Sequence, residues 1–155
     1  MVFLDMTAPI ADGPVPGTYL ARVKSAISKK SGAGSEMFSV ELADAATDQK
    51  LCHDFIMLEG GGAALGRQKL LALGIPASFK AEIMAAELVG RLAYVALIER
   101  EYTDNKGVLR KNLSPDINDG AAGYWPSASP PPDLAARQAK IIASDDATID
   151  GHAPF

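Results

Sequence analysis

The tightest constraint on this chain is a change of period. Three runs alternate as β-strands do, one apolar stretch then follows helical spacing, and alternation returns. In GTYLARVKSAI, residues 17–27, Tyr19, Ala21, Val23 and Ile27 fall on one face and Arg22 and Lys24 on the other. EMFSVELA, 36–43, puts Phe38, Val40 and Leu42 inward, and LCHDFIML, 51–58, reads as a third strand. After the glycines at 60–62, Leu65, Leu70, Leu71 and Leu73 recur at helical spacing until Gly74 and Pro76 end the run. FKAEIMAAELVG, 79–90, predicts a second helical stretch. RLAYVALIEREYT, 91–103, returns to strand, DNKG is a hairpin turn, and VLRKNLSPDI is a last strand.

The order β-β-β-α(α)-β-β is that of an OB-fold, a five-stranded Greek-key barrel with a helical segment between strands 3 and 4. It also suits other small β-barrel or α+β domains. The expected divisions are an irregular arm over 1–16, the barrel over 17–119, and a Pro/Ala-rich linker with a disordered acidic tail over 120–155. DLAARQAKII, within that tail, reads as a short helix or as disordered chain.

Composition narrows the chemistry. The 155 residues are enough for one domain with a real core. The single cysteine, Cys52, excludes an internal disulfide framework and is expected to be buried. Two histidines leave little for a metal centre, and no cofactor is expected. No apolar run reaches membrane-spanning length, and no signal peptide is evident, so a soluble cytoplasmic protein is expected.

The formal charge of −4 argues against nucleic acid only as an average. Residues 16–113 carry 13 Lys+Arg against 11 Asp+Glu, and the acidic excess lies at the two ends. A sequence-tolerant single-strand site needs cations for phosphates and aromatic faces for bases. The candidates are Arg22 and Lys24 on the first strand, Lys29 and Lys30 in the loop 28–35, and Arg91 and Arg100 around the fourth strand. Lys106, Arg110 and Lys111 lie around the last hairpin. Tyr94, facing out between Ala93 and Val95, and Tyr102 are the stacking candidates. Phe55 alternates with Ile56, and one of the two faces out. Tyr124 and Trp125 are expected to dock the chain rather than contact DNA.

Three enzyme-like signals are weak. EGGGAALG has Leu65 where a dinucleotide loop needs glycine. His53 and Asp54 read as a solvent-facing pair with no acidic cluster beside them. Cys52 has no activating constellation. No catalytic residue or metal ligand is assigned.

GTYLARV, KKSGAG, DFIML, GRQKLLALGI, ELVGRLAYVALIEREY and RKNLSPDI, in that order, resemble the phage-type single-stranded DNA-binding proteins with an OB-fold, over about two thirds of the chain. The resemblance implies a cytoplasmic protein that coats single-stranded DNA in replication, recombination or repair. The end, DDATIDGHAPF, is similar to the acidic tip of bacterial SSB-type proteins, with its acids fewer and spaced. This second resemblance implies that Asp145, Asp146, Asp150, Pro154 and Phe155 engage replication or recombination proteins. A homodimer is compatible with the sequence. The alternative of another class is an OB-fold adaptor that binds protein and never DNA. A metal-dependent nuclease is a more distant third.

Overall fold

The computed structural model describes residues 14–138; Asp145, Asp146, Asp150, Pro154 and Phe155 lie outside them. The elements are β1 (Gly17–Lys30), β2 (Glu36–Asp44), β3 (Lys50–Met57), α1 (Ala63–Ala72), a 3₁₀ turn (Ala85–Leu88), β4 (Leu92–Thr103), β5 (Leu109–Pro115) and β6 (Tyr124–Pro126). The chain is mostly β. Its strands form one antiparallel sheet in the order β3-β2-β1-β4-β5, with β6 also on β4.

β1 organises the sheet. Its first half, Gly17–Arg22, pairs with β4, and its second half, Ala21–Lys30, pairs with β2. Between Val23 and Ser25 the ladder slips by one residue at Lys24. A bulge of this kind bends a strand and changes which side chains face in. Ala21 and Val23 are buried before it. After it, Ala26 and Ser28 oppose the buried Val40 and Phe38. Ile27, expected on the core face, is therefore turned outward and is 57% exposed.

The core is Val23, Phe38, Val40, Leu42, Ile56, Leu73, Leu88, Val95 and Tyr124, joined by Cys52. Burial removes the Cys52 thiol from water and pushes its pKa up to about 12. α1 closes the bottom of this core through Ala72 and Leu73. Gly66 makes that approach possible, because a Cβ there would stand 1.8 Å from the Met57 carbonyl oxygen.

Further expectations need correction. Residues 79–90 do not form a helix; only Ala85–Leu88 coil, as one 3₁₀ turn. Ile83, Ala85 and Leu88 pack against the core along an irregular connection after Pro76. Lys29 and Lys30 belong to β1, and the turn is confined to 31–35. The stretch after Asp119 does not leave the sheet at once. β6 pairs with Ala93–Val95 of β4, and residues 134–138 are helical.

A polar cluster locks β6 in place. Lys69, 6% exposed, reaches Asp54 Oδ2 at 2.9 Å and donates to the Phe55 carbonyl at 3.2 Å. The Tyr124 hydroxyl donates to the same carboxylate at 2.6 Å. Burial first, then the adjacent carboxylate, holds the Tyr124 phenol well above its ordinary range. Asp54 is thus not solvent-facing: in β3 it shares the inner face with Cys52 and Ile56, while His53 points out. Further on, Arg137 stacks on the Trp125 ring at 4.8 Å and donates to Asp119, Asp133 and Thr18. Tyr124 and Trp125 dock the chain on the sheet.

Candidate nucleic-acid interface

The outer face of β1, β2 and β3 is built row by row. Ser25, Glu41 and His53 make one row, and Ile27, Ser39 and Phe55 the next. Lys29, Met37 and Met57 make the third. The pleat that buries Asp54 and Ile56 sends Phe55 outward, where it is 49% exposed. The Lys29 ammonium lies 5.9 Å from the Phe55 ring centroid. One apolar, aromatic row is thus flanked by a cation. Glu41, the acid at its border, accepts from Ser25 and is paired with Lys50 at 3.7 Å.

The β4–β5 hairpin carries the second group, and it has two unlike faces. Arg100 stands opposite Asn112, and Tyr102 opposite Arg110, on one face. Glu99, Glu101 and Lys111 share the other. On that second face Lys111 reaches Glu99 at 3.4 Å and Glu101 at 3.9 Å, so its charge is locally spent. Arg110 donates to Asp104 Oδ2 at 2.6 Å. That bond, with two backbone N–H groups, holds the Asp104 carboxyl below the usual carboxylate range. Tyr102 and Arg100 are exposed, as is Lys106 in the turn.

The remaining cations are employed elsewhere. Arg22 binds Asp48 in the β2–β3 turn, and Lys24 reaches the same carboxylate at 3.5 Å. Lys30 lies on the face opposite Lys29 and reaches Glu36 at 3.7 Å. Arg91 ties two segments together, its Nε donating to the Glu87 carbonyl at 2.8 Å and its Nη1 to the Leu73 carbonyl at 3.3 Å. Tyr94 does face away from Ala93 and Val95, but it is half-buried, in register with Leu20 and Trp125.

The geometry therefore joins Lys29 to Phe55, and Arg100 to Tyr102 and Arg110. Ile27 was not legible as a surface residue, because the bulge that exposes it leaves no mark in the alternation. Phe55 was half-legible, since alternation with Ile56 put one of them outside. Among the described residues no group of His, Cys, Asp and Glu could hold a metal ion. No described helix is long and apolar enough to cross a membrane. The chain matches no protein-family model, and no curated protein matches it significantly.

Proposed function

We propose that the chain is a non-catalytic single-stranded DNA-binding protein of the cytoplasm, built on an OB-fold and serving replication, recombination or repair. The strand order β3-β2-β1-β4-β5, with β1 shared between β2 and β4 and α1 between β3 and β4, supports the fold. The observation that carries the function is the exposed Phe55 with the Lys29 ammonium over its ring, beside Ile27 on an open sheet face. Bases stack on such a ring, and the ammonium meets the phosphate that follows. Arg100 and Tyr102 extend the same chemistry onto one face of the second hairpin, where Arg110 is already paired with Asp104. Residues 145–155 engage partner proteins, as their resemblance to an acidic tip implies.

A titration of labelled oligo-dT against matched duplex at two salt concentrations tests this reading. Preferential, salt-sensitive binding to the single strand is expected, with a log–log slope near −0.7 per phosphate contact. No binding at low salt overturns it. The adaptor reading draws support from the exposed Val108 and Leu109 at the hairpin tip. It predicts a partner protein and no oligo-dT binding in the same titration.

A further inference from the structure

β3 is the end strand of the sheet, and among the described residues its only ladder is with β2. An end strand leaves a row of N–H and C=O groups without a strand partner. Along an antiparallel pair, hydrogen-bonded positions alternate with positions whose backbone groups point away from the partner. The Leu58 N–H donates to the Glu36 carbonyl at 3.0 Å, which places Ile56 and Asp54 among the bonded positions. Phe55, opposite Ser39, and Met57, opposite Met37, therefore turn their backbone groups to the open edge.

Side chains close that edge at the residue that carries the exposed ring. The Phe55 N–H donates to Asp54 Oδ1 at 2.9 Å. The Phe55 carbonyl accepts from the Lys69 ammonium at 3.2 Å. Both partners are held in turn. Lys69 donates to Asp54 Oδ1 at 3.1 Å and lies 2.9 Å from Oδ2, where the Tyr124 hydroxyl donates at 2.6 Å. α1 runs along the edge here. Just under one turn before Lys69, Gly66 stands against the Met57 carbonyl, where no Cβ would fit. Three elements, β3, α1 and β6, thus meet at one largely buried carboxylate, on the residue next to Phe55.

We propose that Lys69 and Asp54 are positioning residues that fix the Phe55 backbone from inside, so that the ring meets a nucleobase already ordered. The proposal rests on the strand-binding reading. A ring held before binding loses less freedom on binding than one that must be ordered by its ligand. Tyr124 joins through Asp54, so β6 supports the site although the Tyr124 ring is fully buried.

Oligo-dT titration of the full chain tests this. Asp54→Asn with Lys69→Met removes both charges together, leaves no buried charge unpaired, and takes the donor from the Phe55 carbonyl. Affinity should fall about twofold to tenfold, the range for ordering one side chain on binding. In a Phe55→Ala background the same pair should lower affinity no further, whereas in a Tyr102→Ala background the full loss should persist. Amide exchange of the free variant should rise at Phe55 more than at Ile56. Unchanged affinity overturns the proposal. So does an equal loss in the Phe55→Ala background, which a general loosening of the fold would produce. If the paired variant does not fold, Tyr124→Phe, which keeps the ion pair, decides: a smaller loss that vanishes with Phe55→Ala supports the proposal, and no loss overturns it. Wild-type protein that does not bind oligo-dT at low salt overturns the strand-binding reading itself. Wild-type binding with unmoved variants overturns the positioning alone.

Discussion

Lys69 and Lys29 are the same side chain in two settings, and they divide the molecule. Lys69 stands inside, 7% exposed along its side chain, with Asp54, Tyr124 and a carbonyl to satisfy it. Lys29 stands outside, with one aromatic ring below it and no carboxylate among the described residues. The first must be paired, because an unpaired buried charge is costly. The second stays available because β1 has turned its outer face toward solvent. Substitutions should therefore read chiefly in stability in the body and chiefly in binding on the hairpins.

The largest effect is expected in the body. Asp54→Ala strands a buried ammonium and a buried hydroxyl, and should cost about 3–5 kcal/mol. A urea midpoint that barely moves would show that Lys69 escapes to water. Alkaline pH attacks the same region. The Cys52 thiol is raised from about 9 to about 12 by folding, and the Tyr124 phenol is raised as well. The folded state thus holds its protons more tightly than the unfolded chain. Stability is complete below pH 9 and should fall as pH rises toward 12, by roughly 1.4 kcal/mol per unit from the thiol. Denaturation curves between pH 8 and 11 check the sign. A stability that rises with pH contradicts it.

The hairpins should behave oppositely. Phe55→Ala should weaken oligo-dT binding by about 1–3 kcal/mol while the melting temperature stays nearly constant. Equal affinity in that variant removes Phe55 from the interface. Lys29→Ala should lower the magnitude of the salt slope by about 0.7, whereas Lys30→Ala, whose charge already meets Glu36, should lower it less. The smallest change belongs to Lys111→Ala. Its exposed pairs with Glu99 and Glu101 contribute no more than about 1 kcal/mol to stability, and binding should stay within twofold.

The strands were readable because burial on one face writes a period of two into the sequence. β1 to β5 all appear where alternation puts them, and α1 appears where Leu65 to Leu73 change the period. Residues 79–90 misled because Ile83, Ala85 and Leu88 are core residues carried by an irregular chain, which apolar spacing alone does not separate from a helix. Asp54 misled because a carboxylate signals exposure, and its partners Lys69 and Tyr124 are 15 and 70 residues away. β6 was hidden in a Gly- and Pro-rich stretch, and the groups it pairs with, β4 and the Asp54 carboxylate, are distant in sequence. On the surface, sequence supplied the cations but not their employment. Arg22, Lys24, Arg91 and Lys111 are consumed by Asp48, two carbonyls, and Glu99 with Glu101.

The slip at Lys24 makes β1 two strands in one. Upstream of it, Ala21 and Val23 enter the core; downstream, Ala26 packs against the core while Ile27 and Lys29 face out. Removing that single residue would leave the strand almost as long and nearly the same in composition. It would also turn Ile27 and Lys29 toward the face of Val40 and Phe38 and send Ala26 to the surface, beside an unaltered Phe55. At this position a length change of one residue exchanges the wet and dry sides of half a hairpin, so β1 should tolerate substitutions far better than insertions or deletions.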